Sequence, residues 1–219
     1  MQKVKQIIYI VILILGISYI LSIAPQSYVL AFAESKIRNY TKNVDVQEGD
    51  FIFQHLPGQF MNMIADMTNS KYSHCGIIVK KPSGFYVLEA IGPVKETPLN
   101  RWISYGVGRK FTIVRLKSQY RKDIPSIIQQ GDKFLNRPYD IQYEWDDQKI
   151  YCSELIYKAV FNATGIHLAE FVRLGDMKWQ PYEKIIREIA DGKLPVERKM
   201  ITPESLVLSD RVDVVYIAP

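Results

Sequence analysis

The chain has 219 residues, 47% of them hydrophobic and 23% charged, with a net charge of +5. That composition excludes wholesale disorder and supports one globular domain with its own core, plus an appendage. Lys and Arg are scattered along the chain with no basic run or stripe, which also excludes a surface built to track a nucleic-acid backbone.

Lys3 and Lys5 are the only charged side chains in residues 1–33, and the 18 residues Ile7–Ala24 carry no charge. Such a run is long enough to cross a bilayer and longer than the core of a signal peptide, so it predicts an uncleaved N-terminal transmembrane anchor. Ala31-Phe32-Ala33 offers the alternative, a signal-peptidase site. Either way the two lysines stay cytoplasmic. Residues 34–219 are then an extracytoplasmic domain, tethered to the cell membrane by a single pass or secreted after cleavage behind Ala33.

Residues 25–47 read as a connector that ends in a Gly49-Asp50 turn. FIFQ is a short strand. In QFMNMIADMTN, Phe60, Met63, Ile64 and Met67 recur at helical spacing, which predicts an amphipathic helix with methionines filling a core. SHCGIIVKK and FYVLEAIG form a hairpin across a KPSG loop, and FTIVRL is a third strand. Residues 123–136 predict a helix capped by Asp123, with Ile124, Ile127, Ile128, Phe134 and Leu135 inward. SELIYKAVFNATG is a helix stopped by Gly165, PYEKIIREIADG a surface helix, ITPESLVLS a short helix with a Thr-Pro-Glu start, and RVDVVYIA a last strand. Helices flanking an antiparallel sheet make an α+β domain.

Two thiols and one histidine stand out. Cys152 falls in the first turn of its helix, where unpaired N–H groups and the helix dipole favour a thiolate. It also leads a buried stripe of Leu155, Ile156, Ala159 and Val160. From the helix alone, a small buried hydrophobe explains Cys152 as well as a nucleophile does. The hairpin changes this. Across the KPSG loop, Lys80 opposes Phe85 and Gly76 opposes Glu89, so His74 and Glu89 are diagonal neighbours on one face. A slip of one residue would separate them. A carboxylate that orients an imidazole is what a Cys–His hydrolase requires. Cys75 points to the opposite face of its strand and reads as a packed, inert thiol.

GDFIFQ, TNSKYSHCGII, VLEA, NRPYD, IYCSELIYKAV and ITPESL, in that order, resemble the circularly permuted papain-like cysteine amidases, the YiiX-type branch of the NlpC peptidase superfamily. The resemblance spans roughly residues 46–215. The histidine precedes the cysteine, the reverse of ordinary papain-like enzymes. The resemblance implies Cys152 as nucleophile, His74 as base and Glu89 as the residue orienting the histidine. It also implies a papain-like half-barrel sheet packed on the nucleophile helix. Tyr151, beside the nucleophile, is a family feature expected to bind substrate by shaping the pocket or assisting the oxyanion. Residues 167–200 match no motif.

Other residues rank lower. His55 and His167 have no partner at motif spacing and read as surface histidines. Asp140 reads as a turn residue, and Glu154 as support for the helix start. No spacing of His74, Cys75 and Cys152 suits zinc, and no phosphate loop or dinucleotide fingerprint is present, so no metal or cofactor is expected. The function expected is a cysteine hydrolase that cleaves amide or ester bonds through an acyl-enzyme. Cell-wall peptides or lipid-linked acyl groups are the expected substrates. An acyltransferase would use the same residues. The non-catalytic alternative is a tethered binding module of the same fold, with Cys152 buried or bridged to Cys75.

Overall fold

The computed structural model describes residues 39–219; the expected membrane segment in residues 1–33 lies outside them. Among the described residues no helix is long and apolar enough to cross a membrane. The fold is α+β. It is built on a six-stranded antiparallel sheet of β1 (Phe51–Gln54), β2 (His74–Lys81), β3 (Gly84–Ala90), β4 (Val94–Pro98), β5 (Phe111–Leu116) and β8 (Val212–Ile217). The strand order is β4-β3-β2-β1-β5-β8. The helices are α1 (Gln59–Met67), α2 (Leu99–Tyr105), α3 (Ile124–Asp132), α4 (Cys152–Thr164), α5 (Glu183–Ile189) and α6 (Pro203–Val207). Two short strands, β6 (Val172–Arg173) and β7 (Lys199–Met200), pair separately.

The central strands β1 and β2 are buried on both faces, which explains their nearly unbroken apolar sequence. Because side chains alternate, the sheet divides two cores. Phe51, Phe53, Cys75, Ile77 and Leu88 meet α3 and α4 on one side. Ile52, Ile78, Val87 and Ile113 meet Leu99, Trp102 and Ile103 of α2 on the other. A third core joins Met63 and Met67 of α1 to Leu174, Met177 and Ile186. The stretch 167–200, which matches no motif, is therefore a packed wall beside α1.

Three local expectations are corrected. Lys81 pairs with Gly84, so the hairpin loop narrows to Pro82-Ser83. Asp123 does not cap α3: a 3-10 turn over Ser118–Asp123 runs into the helix, so Asp123 already has helical dihedrals and its side chain makes no cap bond. Leu135 is exposed because α3 ends at Asp132 and the chain turns away, while Ile127 and Phe134 point inward. Thr202 does cap α6, accepting from the Ser205 N–H at 3.0 Å. Gly165 ends α4 with φ 73°, a left-handed conformation that suits glycine.

Candidate active site

Cys152 is the first residue of α4, preceded by Tyr151 in an extended N-cap conformation. The Tyr151 N–H donates to the Glu154 carboxylate at 3.2 Å, so Glu154 closes the helix start as its position suggested. The N–H groups of the first turn have no carbonyl partner within the helix and present partial positive charge beside the sulfur.

The hairpin has the register required to bring an imidazole and a carboxylate together: Gly76 faces Glu89 and Lys80 faces Phe85. His74 Nε2 lies 2.5 Å from Glu89 Oε2. Both side chains are buried. A Cβ at position 76 would stand 2.4 Å from Val87 Cγ1 and 2.7 Å from the Leu88 carbonyl oxygen, so this register needs glycine there. Two further donors reach Glu89. Thr97 Oγ1 donates to Oε1 at 2.5 Å and Trp102 Nε1 to Oε2 at 2.8 Å. Burial pushes the Glu89 carboxyl up, but the bonds from His74 and Thr97 outweigh it and keep the group below its usual range.

With Nε2 held by Glu89, Nδ1 is the ring nitrogen left to face Cys152. Burial opposes the imidazolium, yet the hydrogen bonds and charges of Cys152 and Glu89 raise His74 to about 9. Hydrogen bonding from Cys75 and, against burial, from His74 drives the Cys152 thiol well below its usual value. Both directions describe a thiolate–imidazolium pair. Cys75 lies on the opposite face from Glu89, as alternation requires. That face is the one α4 covers, so Cys75 is packed against Cys152 rather than remote from it. Burial lifts the Cys75 thiol well above its usual value, which keeps it a protonated donor to the thiolate. Both cysteines are free, not bridged.

Cys152 and Ser153 line an apolar groove of about 760 Å³ including its mouth. Phe60, Met63 and Met67 of α1 form one side, and Leu174, Met177, Ile186 and Met200 the other. The Tyr151 ring is fully buried and is not among the side chains that line the groove. Its hydroxyl accepts the Ile201 N–H at 3.1 Å, and Ser153 Oγ donates to the Ile201 carbonyl at 2.8 Å. Ile201 lines the groove, so Tyr151 shapes it only through that backbone. Asp140 is a buried turn residue that accepts the Gln142 N–H at 3.0 Å. His55 bonds Asn62 and His167 bonds Tyr157, both away from Cys152.

Thr97 and Trp102 escaped the sequence reading. The Leu99, Trp102, Ile103 spacing is a helical signal, but nothing local says that the indole points at Glu89.

Residues 45–216 match the family described as permuted papain-like amidase enzymes, YaeF/YiiX, C92 family. The chain is 31% identical over 163 residues to the protein YiiX of Escherichia coli (strain K12), itself uncharacterized, covering 73% of this chain and 81% of that protein. A crystal structure titled metalloprotein yiiX from Escherichia coli O157:H7 superposes with a TM-score of 0.73 at 30% identity, covering 78% of this chain and 97% of that one. Fold and extent of match agree: the chain belongs to the permuted papain-like amidases of the YaeF/YiiX family.

Proposed function

We propose that the protein is a cysteine hydrolase that releases an acyl chain from an amide or ester, with Cys152 as nucleophile, His74 as acid–base and Glu89 holding the imidazole. The observation that carries this reading is geometric: a buried His74 held by Glu89 at 2.5 Å stands beside Cys152, which lines an apolar groove. The Cys152 sulfur attacks the carbonyl carbon. The carbonyl oxygen takes the electron pair and is stabilised by N–H groups at the start of α4. Collapse of this intermediate breaks the bond to the leaving group, which takes the proton from His74 and leaves a thioester on Cys152. Water then gives a proton back to His74 and attacks the thioester, whose C–S bond breaks to release the acid and restore the Cys152 thiolate beside the imidazolium.

The groove favours a lipid-linked acyl group over a cell-wall peptide, because methionine, isoleucine and leucine side chains present few partners to amide groups. The apolar segment Ile7–Ala24 would hold the domain at a lipid surface, where such chains are presented. The structural neighbour's title calls it a metalloprotein. Among the described residues no three His, Cys, Asp or Glu side chains gather to hold a metal ion, and His74 Nε2 is already bound to Glu89, so no step is routed through a metal.

Iodoacetamide labelling between pH 5 and 8 tests the pair. Cys152 should label rapidly down to about pH 6, and His74→Ala should slow labelling there by about 10²-fold or more. An ordinary thiol profile that ignores the mutation would sink the catalytic reading. A series of acyl esters of increasing length tests the substrate class. At ~0.8 kcal/mol per buried methylene, kcat/KM should rise about fourfold per methylene until the groove is full. A flat series would overturn the acyl-chain assignment alone.

A further inference from the structure

A second cleft, of about 760 Å³ including its mouth, lies toward the far end of α4, lined by residues before, on and after that helix. Asn162 of this cleft is ten residues beyond Cys152, or about 15 Å along the helix axis, so the cleft is separate from the groove. Its floor is aromatic. Trp145 meets Phe171 at 4.7 Å between ring centroids and Tyr157 at 5.6 Å, both edge to face, and Phe161 stacks on Tyr157 at 6.1 Å. These contacts brace the rings in fixed orientations. Trp145, Phe161 and Phe171 nevertheless leave 43%, 38% and 37% of their surface to solvent. A concave, braced and exposed aromatic patch marks a binding surface.

The polar groups around it select the ligand. Lys158 Nζ sits 4.7 Å from the Trp145 ring centroid, so a cation already occupies that ring, and a cationic ligand would meet like charge. Nor does Lys158 offer itself to an anion. Its ammonium donates to the Asp146 carbonyl at 2.5 Å and to Asp147 Oδ1 at 2.7 Å, and its charge is matched by Glu154 Oε1 at 2.8 Å as well. What remains is neutral hydrogen-bonding capacity. His167 Nδ1 and the Tyr157 hydroxyl share a hydrogen bond at 2.6 Å, which leaves the other ring nitrogen to a ligand, and Asn162 brings an amide. Aromatic faces beside amide, imidazole and carboxylate groups match the C–H faces and hydroxyls of a sugar. We propose that this cleft binds a neutral oligosaccharide and holds the enzyme on a glycan. A lipid surface fits less well, since Asp146 and Asp147 at the rim would have to be desolvated with the rings. The proposal does not depend on the hydrolase reading.

The test uses the full chain in a detergent without sugar head groups, because a maltoside would compete. An N-acetylglucosamine tetramer and cellotetraose are titrated by calorimetry. At least one should bind saturably. Trp145→Ala and Phe171→Ala should each weaken it about tenfold or more. His167→Ala and Asn162→Ala, which leave the rings in place, should weaken it less. None of the four should change the rate of Cys152 labelling. Absence of saturable binding by both sugars, or binding that ignores all four variants, overturns the proposal. So does quenching by brominated lipids, in phosphatidylcholine–phosphatidylglycerol vesicles, of the fluorescence lost in Trp145→Phe, which would assign the patch to the membrane.

Discussion

Glu89 has 2% of its surface exposed and still carries its charge, because three side chains donate to it. That charge is part of what lifts His74 from 6.5 to about 9. Glu89→Gln keeps the shape and removes the charge. Turnover should fall by about 10²-fold, and the basic limb of its pH profile should move from about 9 toward the ordinary histidine range. Stability follows the same linkage. The folded value of His74 is raised, so its contribution is full below pH 6.5 and lost as pH rises through about 9. Glu89 is depressed, so its contribution is present above 4.5 and lost as pH falls through its lowered value. Urea midpoints from pH 4 to 10 should therefore converge with those of His74→Ala toward the alkaline end. Cys152, His74 and Glu89 were legible because each rests on a local rule: a helix start, a strand alternation, a hairpin sum. Cys75 was half legible. Alternation gave its face, but which face α4 would cover is a tertiary fact.

The hairpin of β2 and β3 shows how an element enforces a site. Its register depends on Gly76, where a methyl group would collide with Val87 and the Leu88 carbonyl. Gly76→Ala should cost about 1–3 kcal/mol in chemical denaturation and lower catalytic rate with it, since the strands must shift to accept the methyl group. Unchanged stability would show that β3 yields freely and that glycine is not what fixes the pairing. Counting pairs outward from the KPSG turn made the register of this hairpin readable, although the loop itself is shorter than expected. The next elements were not read. β4 alternates weakly and is short, and α2 spans seven residues, too few for a helical period to stand out. Asp123 had the chemistry of a cap but not the backbone, because capping needs a break in helical dihedrals that the preceding 3-10 turn removes.

The groove belongs to the whole molecule: α1 and the 174–201 stretch that line it are more than 100 residues apart, joined by a core of methionine, leucine and isoleucine. Apolar residues at helical spacing foretold a buried face on α1 but not what would bury it. The path into the sheet is also tied at long range. Arg115 of β5 grips the buried Asp50 carboxylate with two bonds, at 2.7 and 3.0 Å. Arg115→Ala leaves that carboxylate without its cation and should cost about 3–5 kcal/mol, read from the urea midpoint. Loss below about 1 kcal/mol would mean that water replaces the guanidinium. The order of the site residues also sets a timetable. Synthesis runs from the N-terminus, so the strands carrying His74 and Glu89 are complete before the ribosome reaches Cys152. On the proposed mechanism, a chain interrupted anywhere in between would hold a base with nothing to activate, and the thiol would gain its reactivity only once the strands that carry His74 and Glu89 are in place beside it. On that mechanism, an incomplete chain of this kind would therefore lack its nucleophile altogether.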